Sequence, residues 1–346
     1  MKQWKRYTFI MISFGILLGL GIRYFDTVAT ITQKTALFSA SLLLWEGQPN
    51  TSSPTATDVV SSPVVSHTTP ASSIPVKSVT PPKGVETGKI QTTTLALSAA
   101  NTKANGVHIS NKTGRSIDIE DYLSQGMPFS LTDSDQPQVL IVHTHATEAY
   151  AESDLGYYLK TASTRSTDNK KNTVAVGEVL AEALNEAGIV TINDDTQHDY
   201  PNYTGGYNRS AETIKEYLEK YPSIKVVIDA HRDAIAGDGD TKLKPTTQIN
   251  GKSAAQIMIL AGCESGSVEN FPNWEENFRF CLQLQKQLEA DYPNLARPMS
   301  FKSCKYNFNL LSGSILIEIG TDANTLDEAK YSASLLARSF IQVLQP

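Results

Sequence analysis

Two histidines and a glutamate stand close together directly after an apolar run in this 346-residue chain. The run covers residues 139–142, and His143, His145 and Glu148 follow it. Histidine and glutamate are common protein ligands of hydrolytic zinc, and a catalytic zinc needs three such ligands and one open position for water. Since the chain has six histidines in all, we interpret this group as part of a zinc site rather than as residues that merely cap a strand.

A second polar group ends another apolar run, in the segment Asp229-Ala-His231-Arg232-Asp233. We predict that His231 and His145 are two of the three zinc ligands. Asp229 shares a strand face with His231, so its carboxylate can accept a hydrogen bond from the ring and orient it. Arg232 fits a structural ion pair and a substrate contact equally well.

Three residues are candidates for the third zinc ligand, namely Glu148, His143 and Asp168. Glu148 is close to His145 in sequence, while Asp168 lies in a loop before a predicted helix. His143 would share a face with His145 if the strand continued past residue 142.

Glu318 is the only charged residue in the apolar run 314–319. A buried glutamate beside activated water can act as general base and then as proton donor to the leaving amine. The alternative is a structural ion pair with Arg232 or Arg297. Tyr306 and Asn307 form a further polar group that could contact a polymer substrate.

The spacing of apolar residues predicts alternating strands and helices beyond residue 136. The predicted strands are residues 139–143, 189–192, 226–230, 256–261 and 315–319. The predicted helices cover residues 173–187, ending before Gly188, residues 273–291, and the C-terminal segment after a capping box at Thr325 and Glu328. This pattern predicts an α/β fold with a mostly parallel twisted sheet and helices on both faces, with ligands bound at the carboxyl ends of the strands.

The N-terminal third has a different composition. Basic residues precede an uncharged run, which predicts a cytoplasmic tip and transmembrane signal anchor over residues 1–25, with a cleaved signal peptide as the alternative. A juxtamembrane segment at 26–48, a disordered Ser/Thr/Pro-rich tether at 49–84 and a lead-in segment at 85–135 are predicted to precede a catalytic domain at 136–346. The expected localisation is the cell membrane, single-pass, with the catalytic domain outside the cytoplasm.

Charge and cysteine content exclude two classes of protein. The formal net charge of −6 argues against nucleic acid as a partner, because phosphate binding needs a basic surface. Three cysteines are too few for a disulfide framework, and we interpret them as small buried residues.

Several of these motifs together resemble the stage II sporulation protein P family. The resemblance rests on His143-Thr-His145 with Glu148, Asp229-x-His231-Arg-Asp233, Asn273-Trp-Glu-Glu-Asn277, and Leu316-Ile-Glu318-Ile-Gly320 with Asn324-Thr325. It implies a membrane-anchored zinc hydrolase of peptidoglycan, similar in fold to the N-acetylmuramoyl-L-alanine amidases, which acts at the sporulation septum during engulfment. It also implies His143 or His145 together with His231 as metal-site residues, Glu318 as acid/base, and the sporulation stage II proteins D and M as partners.

The resemblance implies cleavage of the amide between muramic acid and the stem peptide, and also of peptide cross-links. Two other functions fit the same residues. One is a zinc carboxypeptidase or D,D-peptidase acting on the same polymer, and the other is a catalytically inactive scaffold that binds the cell wall.

Overall fold

The computed structural model describes residues 79–266 and 268–345 of the chain. The anchor expected at residues 1–25, the juxtamembrane segment at 26–48 and most of the tether at 49–84 lie outside these described residues.

The membrane localisation expected from the sequence requires a correction. Among the helices that the structure describes, none is both long enough and apolar enough to cross a bilayer. The expected localisation as a single-pass membrane protein is therefore not supported by the described residues.

Eight strands form the larger of two sheets in the described part of the chain. In chain order they are β2 (Thr102–Ala104), β3 (Val107–Asn111), β4 (Val139–Val142), β6 (Thr191–Asn193), β7 (Val226–Asp233), β10 (Ile257–Gly262), β11 (Met299–Lys302) and β12 (Ser314–Thr321). Their spatial order is β2-β3-β11-β10-β12-β7-β4-β6.

Four further strands form a smaller sheet in the order β5-β1-β8-β9. They are β1 (Thr87–Thr93), β5 (Tyr157–Leu159), β8 (Thr241–Ile249) and β9 (Lys252–Ala255). Strands β1, β2 and β3 come from the segment expected as a lead-in, so residues 85–135 contribute strands to both sheets.

Five α-helices accompany the sheets in the described residues. They are α1 (Ile119–Ser124), α2 (Thr173–Glu186), α3 (Gly206–Lys220), α4 (Trp274–Asp291) and α5 (Leu326–Leu344), with 3₁₀ turns at Leu97–Ala99 and Phe308–Leu310. Gly188 adopts a φ of +83° just after α2, as expected of a helix C-terminus. The capping box of Thr325 and Glu328 is formed, whereas Asn273, which precedes α4, makes no side-chain hydrogen bond to the start of that helix.

The α/β class is confirmed, but the expectation of a mostly parallel sheet is wrong because both sheets are mixed. In the larger sheet β10 runs antiparallel to β12, and β2 runs antiparallel to β3. The smaller sheet pairs β1 with β8 in parallel, but with β5 antiparallel. A buried apolar strand has the same residue pattern in either direction, so the sequence could not distinguish the two.

Strand β4 is buried on both faces and divides two apolar clusters. Its residues Val139 and Ile141 pack in the main core beneath α2, α4 and α5, whereas Leu140 and Val142 pack with Ile214 of α3 on the opposite face. The all-apolar run at 139–142 follows from this double burial, because a central strand has no solvent-facing side.

Three neighbouring parallel strands bring the predicted site residues to one sheet edge. Val142 of β4 pairs with Asp229 of β7, and His231 of β7 pairs with Glu318 of β12. Residues in register on adjacent strands point to the same face of a sheet. Asp229, His231 and Glu318 therefore lie on the face that α3 covers.

The smaller sheet is tied to helix α5 through a buried lysine. Nζ of Lys244 in β8 lies 2.6 Å from Oδ2 of Asp154 and 3.1 Å from Oε1 of Glu328. The lysine side chain is 2% exposed, so its buried charge depends on these two carboxylates for compensation.

Replacing this lysine tests the contribution of the buried network. Lys244→Met leaves two carboxylates without their cation, and we expect the free energy of unfolding to fall by about 3 kcal/mol or more in urea denaturation. Lys160→Met is the matched control, since Lys160 also lies 2.6 Å from a carboxylate, that of Asp240, but on the exposed surface. Equal stability of the two variants would contradict this role.

Candidate metal centre

A tight turn after β4 places His145 and Glu148 on the same side of the chain. The strand ends at Val142 and residues 144–147 turn, with the Glu148 amide donating to the carbonyl of His145 at 3.0 Å. Both side chains therefore project from the carboxyl end of β4, where ligand sites of open α/β sheets lie.

Two buried aspartates hold the ends of this turn. Oδ1 of Asp229 accepts from the Thr144 amide at 2.9 Å, and Oδ2 accepts from the Thr144 hydroxyl at 2.7 Å. At the other end, Asp199 accepts from the amide of Thr147 at 3.2 Å and from its hydroxyl at 2.5 Å. Hydrogen bonds to charged groups stabilise by about 1.5–3 kcal/mol each, so the turn is firmly fixed.

His145, Glu148 and His231 form a cluster that could hold a metal ion, with one ligand atom of each lying within 4.8 Å of the others. Nδ1 of His145 lies 3.6 Å from Oε1 of Glu148, and Nδ1 of His231 lies 3.4 Å from Oε2. Ligands on a tetrahedral zinc with bonds near 2.05 Å are separated by about 3.4 Å. The donor set and its spacing therefore fit zinc.

The imidazole of His231 lies between two carboxylates. Its Nε2 is 2.9 Å from Oδ1 of Asp229, on the side away from Glu148. Burial lowers the pKa of His231, but Asp229 and then Glu148 outweigh burial and hold this pKa well above its usual value. A carboxylate behind a ligating histidine fixes its ring and raises its basicity, which is the arrangement found around many protein zinc ions.

The carboxylate of Glu148 is ionised and held in place. Burial alone raises its pKa, but hydrogen bonds from His145 and His231 outweigh burial and hold the pKa far below its usual range. The backbone amide of Arg232 donates to Oε2 of Glu148 at 3.2 Å, and Nη2 of Arg165 lies 3.8 Å from Oε1 of Glu148.

Arg232 is a structural residue in this geometry. Its guanidinium donates to the carbonyls of Ala149 at 3.0 Å and Thr164 at 2.7 Å. These bonds tie the segment after Glu148 to strand β7. The sequence left a structural ion pair and a substrate contact open for Arg232, and in this geometry its guanidinium binds backbone carbonyls.

The structure places His143 and Asp168 apart from the cluster. The ring nitrogens of His143 lie 3.0 Å from the Ala230 carbonyl and 3.0 Å from Oδ1 of Asn193. The ring also lies so close to Gly177 of α2 that a Cβ there would be 2.7 Å from it. Asp168 is exposed and accepts from the amide of Lys170 in its own loop.

Glu318 lies beside His231 on the neighbouring strand. Its Oε2 is buried and has no hydrogen-bond partner among the described residues. Arg297 pairs instead with Asp233 at 2.9 Å, and the Arg232 side chain binds backbone carbonyls. Burial is the main cause that raises the pKa of Glu318 to about 7. A carboxyl group with this pKa populates both protonation states at neutral pH.

Two tyrosines contact the ring of His145, and a third stacks on one of them. Tyr203 stacks on it with ring centroids 4.6 Å apart, and Tyr207 meets it edge-on at 5.5 Å. Tyr306 stacks on Tyr207 at 5.0 Å, and the Asn307 amide donates to the carbonyl of Tyr207 at 2.9 Å. Tyr306 and Asn307 therefore support the first turn of α3, which carries Tyr207.

Sequence reasoning missed several residues that shape this site. Asp199 and Thr144 are buried polar residues with no spacing signal, because their partners lie far away in the sequence. Arg165 and Tyr203 contact each other, with the guanidinium carbon 4.7 Å from the ring centroid. Tyr203 and Tyr207 fall within a polar segment rich in glycine and aromatic residues at 202–210, which was the available signal.

Comparison with known proteins gives one family match and one curated relative. A family model described as stage II sporulation protein P (SpoIIP) matches residues 58–341. The stage II sporulation protein P of Bacillus subtilis (strain 168) is 30% identical over 231 residues. The match covers 64% of this chain and 54% of that relative, so this chain spans about half the length of the relative that it matches.

Solved structures give weaker matches. The N-acetylmuramoyl-L-alanine amidase AmiC2 of Nostoc punctiforme aligns with a TM-score of 0.36 and 13% identity, over 62% of this chain and 99% of that one. The CwlD amidase of Clostridioides difficile, solved with the GerS lipoprotein, aligns with a TM-score of 0.38 and 14% identity, over 60% of this chain and 96% of that one. Scores at this level are too low to carry an argument about the site.

Zinc content of histidine variants tests the composition of the cluster. We expect His145→Ala and His231→Ala to lose zinc after dialysis. Removing a residue that only orients a ligand lowers zinc affinity by roughly 10–100-fold, and removing a ligand itself lowers the affinity further. His143→Asn is the matched control and should retain one zinc per chain with reduced thermal stability. Zinc loss in the His143 variant equal to that of the other two would refute this cluster.

The pH dependence of stability tests the environment of Glu318. The folded metal-free protein holds the Glu318 proton more tightly than the unfolded chain does, because the pKa rises from 4.5 to about 7 on folding. Stability is therefore lost as the pH rises through this interval. Glu318→Gln cannot ionise, so near pH 8 we expect it to be more stable than the unsubstituted protein by about 3 kcal/mol.

This advantage of Glu318→Gln should vanish below pH 4.5, the ordinary value for the group. The measurement is chemical denaturation across the pH range. Glu219→Gln, an exposed substitution on α3, is the control and should follow the unsubstituted protein. A constant difference between Glu318→Gln and the unsubstituted protein at every pH would exclude a raised pKa.

Proposed function

Because this chain belongs to the stage II sporulation protein P family, we propose that it is a zinc-dependent hydrolase of peptidoglycan amide bonds. The proposed reaction is that of an N-acetylmuramoyl-L-alanine amidase, with D,D-endopeptidase activity on peptide cross-links, in sporulation engulfment. The observation that carries the proposal is the cluster of His145, Glu148 and His231 with Glu318 in register beside it.

In this proposal His145, Glu148 and His231 hold zinc. A bound zinc would polarise the scissile carbonyl and make a water molecule acidic enough to attack near neutral pH. Three protein ligands leave a fourth position open, as catalytic rather than structural zinc requires. Asp229 orients His231, and the two aspartates that hold the turn keep His145 and Glu148 in place.

Glu318 carries the protons in this proposal. Its pKa of about 7 suits both halves of the task, because the ionised form accepts a proton from the attacking water and the protonated form donates one to the leaving amine. Its buried Oε2 has no hydrogen-bond partner among the described residues, so no internal hydrogen bond competes with proton transfer at this atom.

The sporulation stage II proteins D and M, the partners that the family resemblance implies, belong to the same proposal. Cross-linking in sporulating cells that recovered neither protein would remove them from it.

Digestion of purified sacculi tests the reaction. With the zinc-loaded full chain, we expect glycan strands free of peptide together with free stem peptides, as shown by mass spectrometry of the products. Glu318→Gln should lower kcat by roughly 10²–10⁴-fold, because general acid–base catalysis contributes that much, while its zinc content stays unchanged.

The same digestion separates the alternative functions. Products in which every muramic acid keeps its peptide, with only the peptides shortened or uncrosslinked, would indicate a carboxypeptidase or D,D-peptidase. Binding to sacculi without any released product would indicate an inactive scaffold.

A further inference from the structure

A cavity of about 430 Å³ lies beside the metal cluster. Its walls include Ala149, which directly follows Glu148, and the side chain of Arg165. Pockets of roughly 300–1,000 Å³ are the usual size for small-ligand sites, so this cavity is large enough for a few residues of peptide.

Arg165 is the residue that joins the cavity to the cluster. Its Nη2 lies 3.8 Å from Oε1 of Glu148, and its Nη1 donates to Oδ2 of Asp199 at 2.6 Å. The Arg165 side chain is 37% exposed, so its guanidinium can also meet a ligand. A guanidinium is suited to carbonyl and carboxylate oxygens, since it presents several N–H groups in one plane.

Strand β5 forms another wall and is an edge strand of the smaller sheet. The Ile90 amide donates to the Gly156 carbonyl, and the Lys160 amide donates to the Glu86 carbonyl. In an antiparallel pair, alternate residues bond to the partner strand. The N–H and C=O of Tyr157 therefore point away from β1, where an extended peptide could pair with them.

A third wall of the cavity contains Asp322, whose carboxylate has one oxygen that accepts no hydrogen bond from the described residues. Oδ2 of Asp322 pairs with Nζ of Lys242 at 2.7 Å, but its Oδ1 is buried and has no hydrogen-bond partner among the described residues. The Asp322 side chain is 7% exposed. A buried acceptor left unpaired costs about 1–3 kcal/mol, which a ligand N–H would remove.

The remaining wall is aromatic and fixed. The ring of Tyr158 lies over Gly88, where a Cβ would come within 2.2 Å of it, and Nζ of Lys242 lies 4.3 Å from the ring centroid. The cavity thus combines an aromatic wall, a cation next to the cluster, an acceptor further away and a free strand edge.

We propose that this cavity binds the peptide part of the substrate, as an extended segment that carries both carboxylate and amine groups. The peptide pairs with the edge of β5, places an oxygen at Arg165 and an N–H at Asp322, and so directs the bond at its end toward the metal cluster. This inference rests on the proposed function, because it assigns the peptide side of that substrate.

Peptide binding without hydrolysis tests the assignment. The probe is the synthetic peptide L-alanyl-γ-D-glutamyl-L-lysyl-D-alanine, titrated calorimetrically into the metal-free full chain. Ala162 is exposed and lines the cavity, so Ala162→Trp would fill the cavity while leaving the cluster residues unchanged. We expect it to weaken binding at least tenfold, whereas Ala99→Trp, the same change at an exposed position outside the cavity lining, should have no effect.

The chemistry of the ligand is tested with the same protein. Amidating the two carboxylates of the probe, or acetylating its lysine amine, should each weaken binding by about tenfold, since each removes a charged hydrogen-bonding group. Equal affinity of the unsubstituted chain and Ala162→Trp, or no binding of the probe at all, would overturn the assignment.

Sacculus digestion separates this inference from the proposed function. Peptide binding that Ala162→Trp abolishes, with no hydrolysis by the zinc-loaded unsubstituted chain, would support the cavity and refute the enzyme. Hydrolysis that Ala162→Trp leaves unchanged, in KM as well as kcat, would support the enzyme and refute the cavity.

Discussion

The carboxylate of Asp229 is the interaction on which the metal centre depends. One oxygen lies near both the Thr144 amide and Nε2 of His231, and the other accepts from the Thr144 hydroxyl. The same buried group therefore fixes the turn that carries His145 and the ring of His231. Burial alone would raise the pKa of Asp229, but His231 and Thr144 outweigh burial and keep this pKa low, so the group stays ionised.

The order of strands decides which side chains meet. Strands β4, β7 and β12 are parallel neighbours, so their carboxyl ends lie at one edge of the larger sheet. Position 318 is in register with position 231, which sets a carboxyl group next to a candidate metal ligand on the same face. The antiparallel strand β10 lies on the other side of β12. The three parallel strands β4, β7 and β12 therefore remain adjacent, and the mixed character of the sheet does not change the arrangement of the site.

The long segment at residues 143–172, between β4 and α2, contributes both to the candidate metal cluster and to the cavity wall. Between β4 and α2 it supplies His145 and Glu148, crosses to the smaller sheet as β5, and returns through Arg165. Arg232 binds the carbonyls of Ala149 and Thr164, and so holds the two ends of this segment together. The candidate metal ligands and one wall of the cavity thus depend on the same segment, which several buried polar bonds fix.

The sequence by itself determined the strands that carry the site and the residue types at their ends. The apolar runs before His143, at 226–228 and around Glu318 are continuous because these strands are buried on both faces, and a continuous run is readable without a structure. The smaller sheet was not readable, since β1 and β8 are half-exposed and rich in lysine and threonine.

Only the tertiary structure decided which residues form the cluster. His143 and His145 are equivalent in type and differ by two positions, but the chain turns after His143 and packs that ring against Gly177. The turn is set by Asp229 and Asp199, which lie 85 and 52 residues away from their threonine partners. A contact between groups so distant along the chain leaves no local pattern, because strand order and register alone bring them together.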